Sequence, residues 1–218
     1  MAGTTVRDKG NVADAFISAC RSYDIAVTEP AVKRVMGWRK IDAIHLLLDQ
    51  FAAERVVQEP ALAEQIHQQF TNNMVEFYNN DATLAPLPYA EELFRELKQA
   101  GVKIALNSGF TRVIVDTILE RLNWHPGGLI DAVIASDEVP EGRPQPFMIH
   151  QLMQQTGVQD PSFVVKAGDT EVDIEEGRNA ECGLVVGITT GAYTRQQLEL
   201  YFPDKIIDSL NELASLIL

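Results

Sequence analysis

From Tyr89 to the C-terminus the chain alternates between two periodicities, and that alternation limits its possible folds more than any other feature. YAEELFRELKQAG carries apolar residues at helical spacing and closes on Gly101; VKIALN is a short apolar run, and TRVIVDTILERL is helical again. DAVIAS, SFVVKAG and LVVGIT are strand-like runs separated by the helical stretches PFMIHQLMQQTG and EVDIEEGRNAE. KIIDSL reads as a short last strand before a terminal helix. Strands alternating with helices of this length pair in parallel, because each crossover lies over a sheet face. The predicted class is α/β, with a doubly wound parallel sheet.

The first half is different. NVADAFISACRSYDI, TEPAVKRVMG, RKIDAIHLLLDQFAAERV and PALAEQIHQQFTNNMVEFYNN all follow helical spacing, and no strand pattern precedes Ala85-Pro86-Leu87-Pro88. The predicted organisation is an α/β core from residues 1–9 and 86–218, with an inserted all-helical cap over 10–85. Hinges are expected near Lys9-Gly10 and Ala85–Pro88.

A length of 218 residues suits one core plus such an insertion. The net charge of −13 argues against nucleic acid and anionic membrane as partners. An anionic substrate would then need a local positive site. Cys20 and Cys182 suggest no disulfide framework, and His45, His67, His125 and His150 show no metal-ligand spacing. No segment is long and apolar enough to span a membrane and no signal peptide leads the fold, so a cytoplasmic location is expected.

The chemistry concentrates in four places. In VVKAGDTEVD, Asp169 is expected at the end of a buried strand and Asp173 one helical turn later on the same side. Two hard carboxylates at a sheet mouth suit Mg²⁺, although a helix cap followed by a solvated acid has the same spacing. Leu106-Asn107-Ser108-Gly109 closes one strand and opens a helix, which fits an anion site or a simple serine cap. GRPQP holds Arg143 in a loop stiffened by Pro144 and Pro146, suited to bidentate phosphate binding or to plain exposure. MAGTTV at the start is a small-residue turn suited to close approach of backbone to ligand.

In this order, GTT, LNSG, the GRP arginine and GDTEVD resemble the four motifs of the haloacid dehalogenase superfamily of hydrolases, over nearly the whole chain. ASDEVPEGRPQPFMI and GDTEVDIEEGRNA are similar to the phosphonoacetaldehyde hydrolase, or phosphonatase-like, branch, as is MGWRK, which matches that branch's Met-Gly-x-x-Lys motif. The resemblance implies a Rossmann-like core, an Mg²⁺ cofactor and an aspartate that attacks phosphorus to form an aspartyl-phosphate. It gives Ser108 and Arg143 the transferring group, with Gly109, Thr4, Met36 and Arg39 contacting substrate. It gives the metal to Asp169, Asp173 and the carbonyl of Ala2, with Asp173 also orienting metal-bound waters. Lys40 would form a Schiff base with a substrate aldehyde, which needs a depressed amine pKa. A solvated lysine is the alternative.

Two departures bear on function. The family's nucleophile directly precedes the residues matched by Met1-Ala2-Gly3-Thr4-Thr5, together with an apolar strand. The expectation is that Met1 is internal to a longer chain and that residues 1–218 alone have little or no phosphoryl-transfer activity; a non-catalytic phosphate- and metal-binding relative is the alternative. The branch also has a histidine three residues after its lysine, where Ala43 stands here, with His45 two further on. The expected substrate is a small phosphonate such as phosphonoacetaldehyde, with a small phosphate ester as the rival. A homodimer is one expected assembly.

Overall fold

The computed structural model describes residues 1–218. The first half forms α1 (Asn11–Arg21), α2 (Glu29–Arg34), α3 (Lys40–Phe51), α4 (Ala53–Gln58) and α5 (Leu62–Asn80). The second half runs α6 (Ala90–Gln99), β1 (Ala105–Ser108), α7 (Arg112–Leu122), β2 (Ala132–Ala135), α8 (Phe147–Thr156), β3 (Val165–Gly168), α9 (Glu171–Asn179), β4 (Leu184–Ile188), α10 (Arg195–Glu199), β5 (Lys205–Ile207) and α11 (Asn211–Ile217). Periodicity explains the helices directly: α6 buries Ala90, Leu93, Phe94 and Leu97, and α5 buries Leu62, Ile66, Phe70 and Met74, each set one helical face.

All strand pairs are parallel. They form two ladders, β1–β2 and β3–β4–β5, in the registers Leu106↔Val133 and Ala167↔Val186. An apolar cavity of about 610 Å³, lined by Met1, Leu106, Val165, Ala167, Leu184 and Leu213 among others, lies along β1 and β3. The two ladders touch through side chains, with Lys166 Nζ donating to Asn107 Oδ1 at 3.0 Å. One continuous cluster of 42 buried hydrophobic residues joins both halves, from Phe16, Ile44 and Phe70 to Phe94, Trp124 and Val186. The helical half therefore sits on the same core as the strands. No helix is long and apolar enough to cross a membrane.

Three elements differ from the sequence reading. The single helix expected over RKIDAIHLLLDQFAAERV breaks at Ala52, which lets Arg55 donate to the Tyr23 carbonyl while Val56 packs against the core. The last strand stops at Ile207, because the Asp208 and Ser209 N–H groups donate to Glu212 Oε1 and belong to the start of α11. The short α10 was not anticipated, yet Thr194 and Gln197 cap it reciprocally, a signal readable in the sequence.

Candidate active site

The C-terminal ends of β1 and β3 and the N-terminal turn open onto one cavity. Ala2, Met36, Lys40, Ser108, Gly109, Arg143, Asp169 and Asp173 all line it. Residues more than a hundred positions apart thus converge where ligands of parallel sheets bind. Two sequence candidates lie outside. Thr4 does not face the cavity; its hydroxyl donates to Asp169 Oδ1 at 2.7 Å and orients that acid. Arg39 points away and donates from Nη1 to the Pro140 carbonyl at 3.0 Å.

One end of the cavity is built from β1 and the loop before α8. Ser108 is buried, and its Oγ accepts from the Phe110 N–H at 3.2 Å, leaving the hydroxyl proton free to donate. The Gly109 N–H has no acceptor in the protein. These donors belong to a turn, since α7 starts only at Arg112, so the anion site is not the helix N-terminus itself. Arg143 is buried beside them. Its Nη1 donates to Asp173 Oδ1, and its Nε is buried without any acceptor. An orphaned guanidinium N–H next to free Ser108 and Gly109 donors is a cradle for an oxyanion.

Asp173 is held by four donors. Arg143 and Lys166 both reach Oδ1, and the Thr170 N–H and hydroxyl reach Oδ2 at 3.2 and 2.7 Å. That fills the acceptor capacity of a carboxylate. Burial disfavours its charge, but the Arg143 and Lys166 cations outweigh burial and hold Asp173 well below the usual carboxylate range. Lys166 also pairs with Glu176 at 2.9 Å, and Glu176 is fully buried. Asp173 thereby fixes the arginine, which is its observed place in the site.

Asp169 has a different environment. Burial and then the Asp173 charge push its pKa up, and neither Arg143 nor Lys166 bonds to it. Its oxygens accept from Thr4 and from the Ala192 N–H at 2.9 Å. Ala2 also lines the cavity, and its carbonyl accepts no hydrogen bond from the chain. No group of three or more His, Cys, Asp or Glu side chains is placed so as to hold a metal ion by itself. One carboxylate short of positive charge beside one unpartnered carbonyl is a hard-oxygen set that suits Mg²⁺, which keeps most of its remaining positions for water and substrate oxygens.

Lys40 is the first residue of α3, 4% exposed, with Nζ donating to the Trp38 carbonyl at 3.0 Å. Nζ sits 5.5 and 5.1 Å from the ring centres of Phe16 and Phe110. Burial, and after it the Arg143 charge, push the amine down to about 7. The helix N-terminus works in the same direction. Burial thus favours the neutral amine, and at this exposure the solvated alternative does not describe Lys40.

The loop that delivers Lys40 rests on glycines. Gly37 has φ +86°, and a Cβ there would meet Thr170 Oγ1 at 2.3 Å. A Cβ on Gly109 would meet the Trp38 carbonyl oxygen at 2.4 Å. The two glycines let the helical half close directly onto the ends of β1 and β3.

Sequence reasoning missed Asp8, Lys166, Phe16, Phe110 and Thr170. Lys166 did leave a signal, a charge inside the apolar run VVKAG; a buried lysine needs anions, and Asp173 and Glu176 supply them. Asp8, Phe16 and Phe110 had no signal, because their nearness to Lys40 is purely tertiary.

The fold and the site define a parallel α/β protein with a serine, a buried arginine and two aspartates gathered in one cavity at the strand ends. A family model described as haloacid dehalogenase-like hydrolase matches residues 2–181, and the chain belongs to that family of hydrolases. It is 31% identical over 210 residues to a phosphonoacetaldehyde hydrolase of Bacillus cytotoxicus, covering 91% of this chain and 78% of that one. A phosphonoacetaldehyde hydrolase-like protein from Oleispira antarctica superposes with a TM-score of 0.83 at 21% identity, covering 99% and 88% of the two chains. A predicted phosphoglycolate phosphatase from Haemophilus somnus gives 0.81 at 22% identity, covering 100% and 95%. At these identities the two structures share the fold.

Proposed function

We propose that this hydrolase acts on a small phosphonate with an aldehyde carbon, of the phosphonoacetaldehyde type. The observation that carries this reading is Lys40, a buried amine of depressed basicity in the same cavity as Ser108 and Arg143. One end of the cavity suits three oxyanion oxygens and the other suits an amine nucleophile. The substrate phosphonate would bind to the Ser108 hydroxyl, the Gly109 N–H and the free edge of Arg143. Its aldehyde carbon would then face Lys40. An iminium on Lys40 draws electrons from the C–P bond, the bond the reaction must break. Asp169 and the Ala2 carbonyl would hold Mg²⁺, which supplies charge neutralisation to the phosphoryl oxygens. Asp173 keeps the Arg143 guanidinium in place as charge builds on phosphorus.

The second reading is a phosphomonoesterase in which Lys40 binds an anionic leaving group. Ala43 favours it, standing where the phosphonatase-like pattern has histidine. Borohydride added with phosphonoacetaldehyde separates the two. The first reading expects a stable adduct on Lys40, located by peptide mass, and none in Lys40→Arg. An unlabelled Lys40 would sink it. Under the second reading Lys40→Arg keeps part of the affinity for a phosphate ester.

A further inference from the structure

One carboxylate in the cavity takes part in neither the oxyanion cradle nor the cation site. Asp8 lines the cavity together with Lys40. Its Oδ1 accepts from the Gly10 and Asn11 N–H groups at 3.0 and 2.9 Å, the turn that starts α1. Its Oδ2 takes neither of these bonds, and the Val12 N–H is the other backbone donor facing this carboxylate. Of the three carboxylates lining the cavity, Asp8 alone is held only by backbone N–H groups, since side chains engage both Asp169 and Asp173. Capping needs only one acceptor, which Ser or Asn supplies equally well, so an ionisable second oxygen is surplus to the cap.

We propose that Asp8 is the acid–base partner of Lys40 in imine formation, a role that rests on the reading of Lys40 as the imine-forming amine. The charged groups acting on Lys40 include Arg143 on one side and Asp8, Asp173 and Asp169 on the other, and of these three carboxylates Asp8 has the largest effect on the amine. Burial raises the proton affinity of Asp8, so it can carry a proton at a pH where an exposed aspartate cannot. The neutral Lys40 nitrogen adds to the aldehyde carbon, an N–C bond forms, and the carbonyl π pair moves to oxygen. A proton then passes from nitrogen to that oxygen, giving the carbinolamine. The Asp8 carboxylic acid donates its proton to the carbinolamine hydroxyl, the C–O bond breaks and water leaves. The nitrogen lone pair closes the C=N bond, and Asp8 remains as a carboxylate beside the iminium it has made. The same groups run backwards when the imine is hydrolysed.

The test compares the rate of borohydride-trapped adduct at Lys40 in the wild type, Asp8→Asn and Asp8→Glu, using phosphonoacetaldehyde from pH 5.5 to 8.5. Asn keeps the cap to Gly10 and Asn11 while removing the proton. Trapping in Asp8→Asn is expected to be slower by roughly 10²-fold, the low end for a lost acid–base group, with a changed pH profile. Asp8→Glu should recover part of the rate. If Asp8→Asn does not fold, Asp8→Ser keeps a capping oxygen and takes the same measurement. Equal rates and equal profiles in wild type and variant would overturn the role of Asp8 while leaving Lys40 intact. No adduct in the wild type would overturn both.

Discussion

Replacing Lys40 with methionine should stabilise the protein at neutral pH. The amine is moved from its usual 10.5 to about 7, with burial as the first cause. Each tenfold change in proton affinity corresponds to about 1.4 kcal/mol, so holding this group unprotonated costs at most about 5 kcal/mol at pH 7. Methionine fills similar volume without a charge to desolvate. It also loses the bond to the Trp38 carbonyl and the contacts with the Phe16 and Phe110 rings, together worth about 2 kcal/mol. The net gain expected for Lys40→Met is about 2–3 kcal/mol. The sign with pH follows from linkage. The folded pKa lies below the unfolded one, so between about pH 7 and 10.5 the unfolded chain binds more protons and wild-type stability rises with pH. The variant lacks this group, so its advantage should shrink by up to about 1.4 kcal/mol per pH unit over that window. Urea unfolding of both proteins at pH 7, 8, 9 and 10 measures the gap. A variant less stable than wild type at pH 7, or a gap that does not narrow towards pH 10, would refute the account of Lys40 as a buried amine kept for its chemistry.

Lys166→Met should act the opposite way. Removing it leaves Glu176 buried with only Asn107 and takes one of two cations from Asp173, a loss of about 3–5 kcal/mol, or roughly 10 °C in melting temperature; a change under 1 kcal/mol would contradict the buried network. Gly109→Ala forces a methyl into the Trp38 carbonyl and should displace the loop that carries Lys40. Adduct trapping should fall tenfold or more, since misplacement by about 1 Å can cost 10²-fold; an unchanged rate would show that the loop is not set by this contact.

The sequence by itself determined the alternation of helices and strands beyond Tyr89, the parallel pairing and the candidates Ser108, Arg143, Asp169 and Asp173. Those follow from periodicity and local backbone chemistry, which neighbours in the chain decide, whereas Lys40 entered only through the likeness of MGWRK to a family motif. Their roles were less legible. The spacing puts Asp169 and Asp173 on one side of the strand end, and packing sets their environments apart: Arg143 and Lys166 form ion pairs with Asp173, and Asp169 has none. Thr4 looked like a substrate contact and instead steers Asp169. Asp8, Phe16 and Phe110 surround the Lys40 amine from segments that share no pattern with it. Charge state and solvent exclusion depend on which surfaces meet when the helical half closes on the strand ends, and only the tertiary structure fixes that.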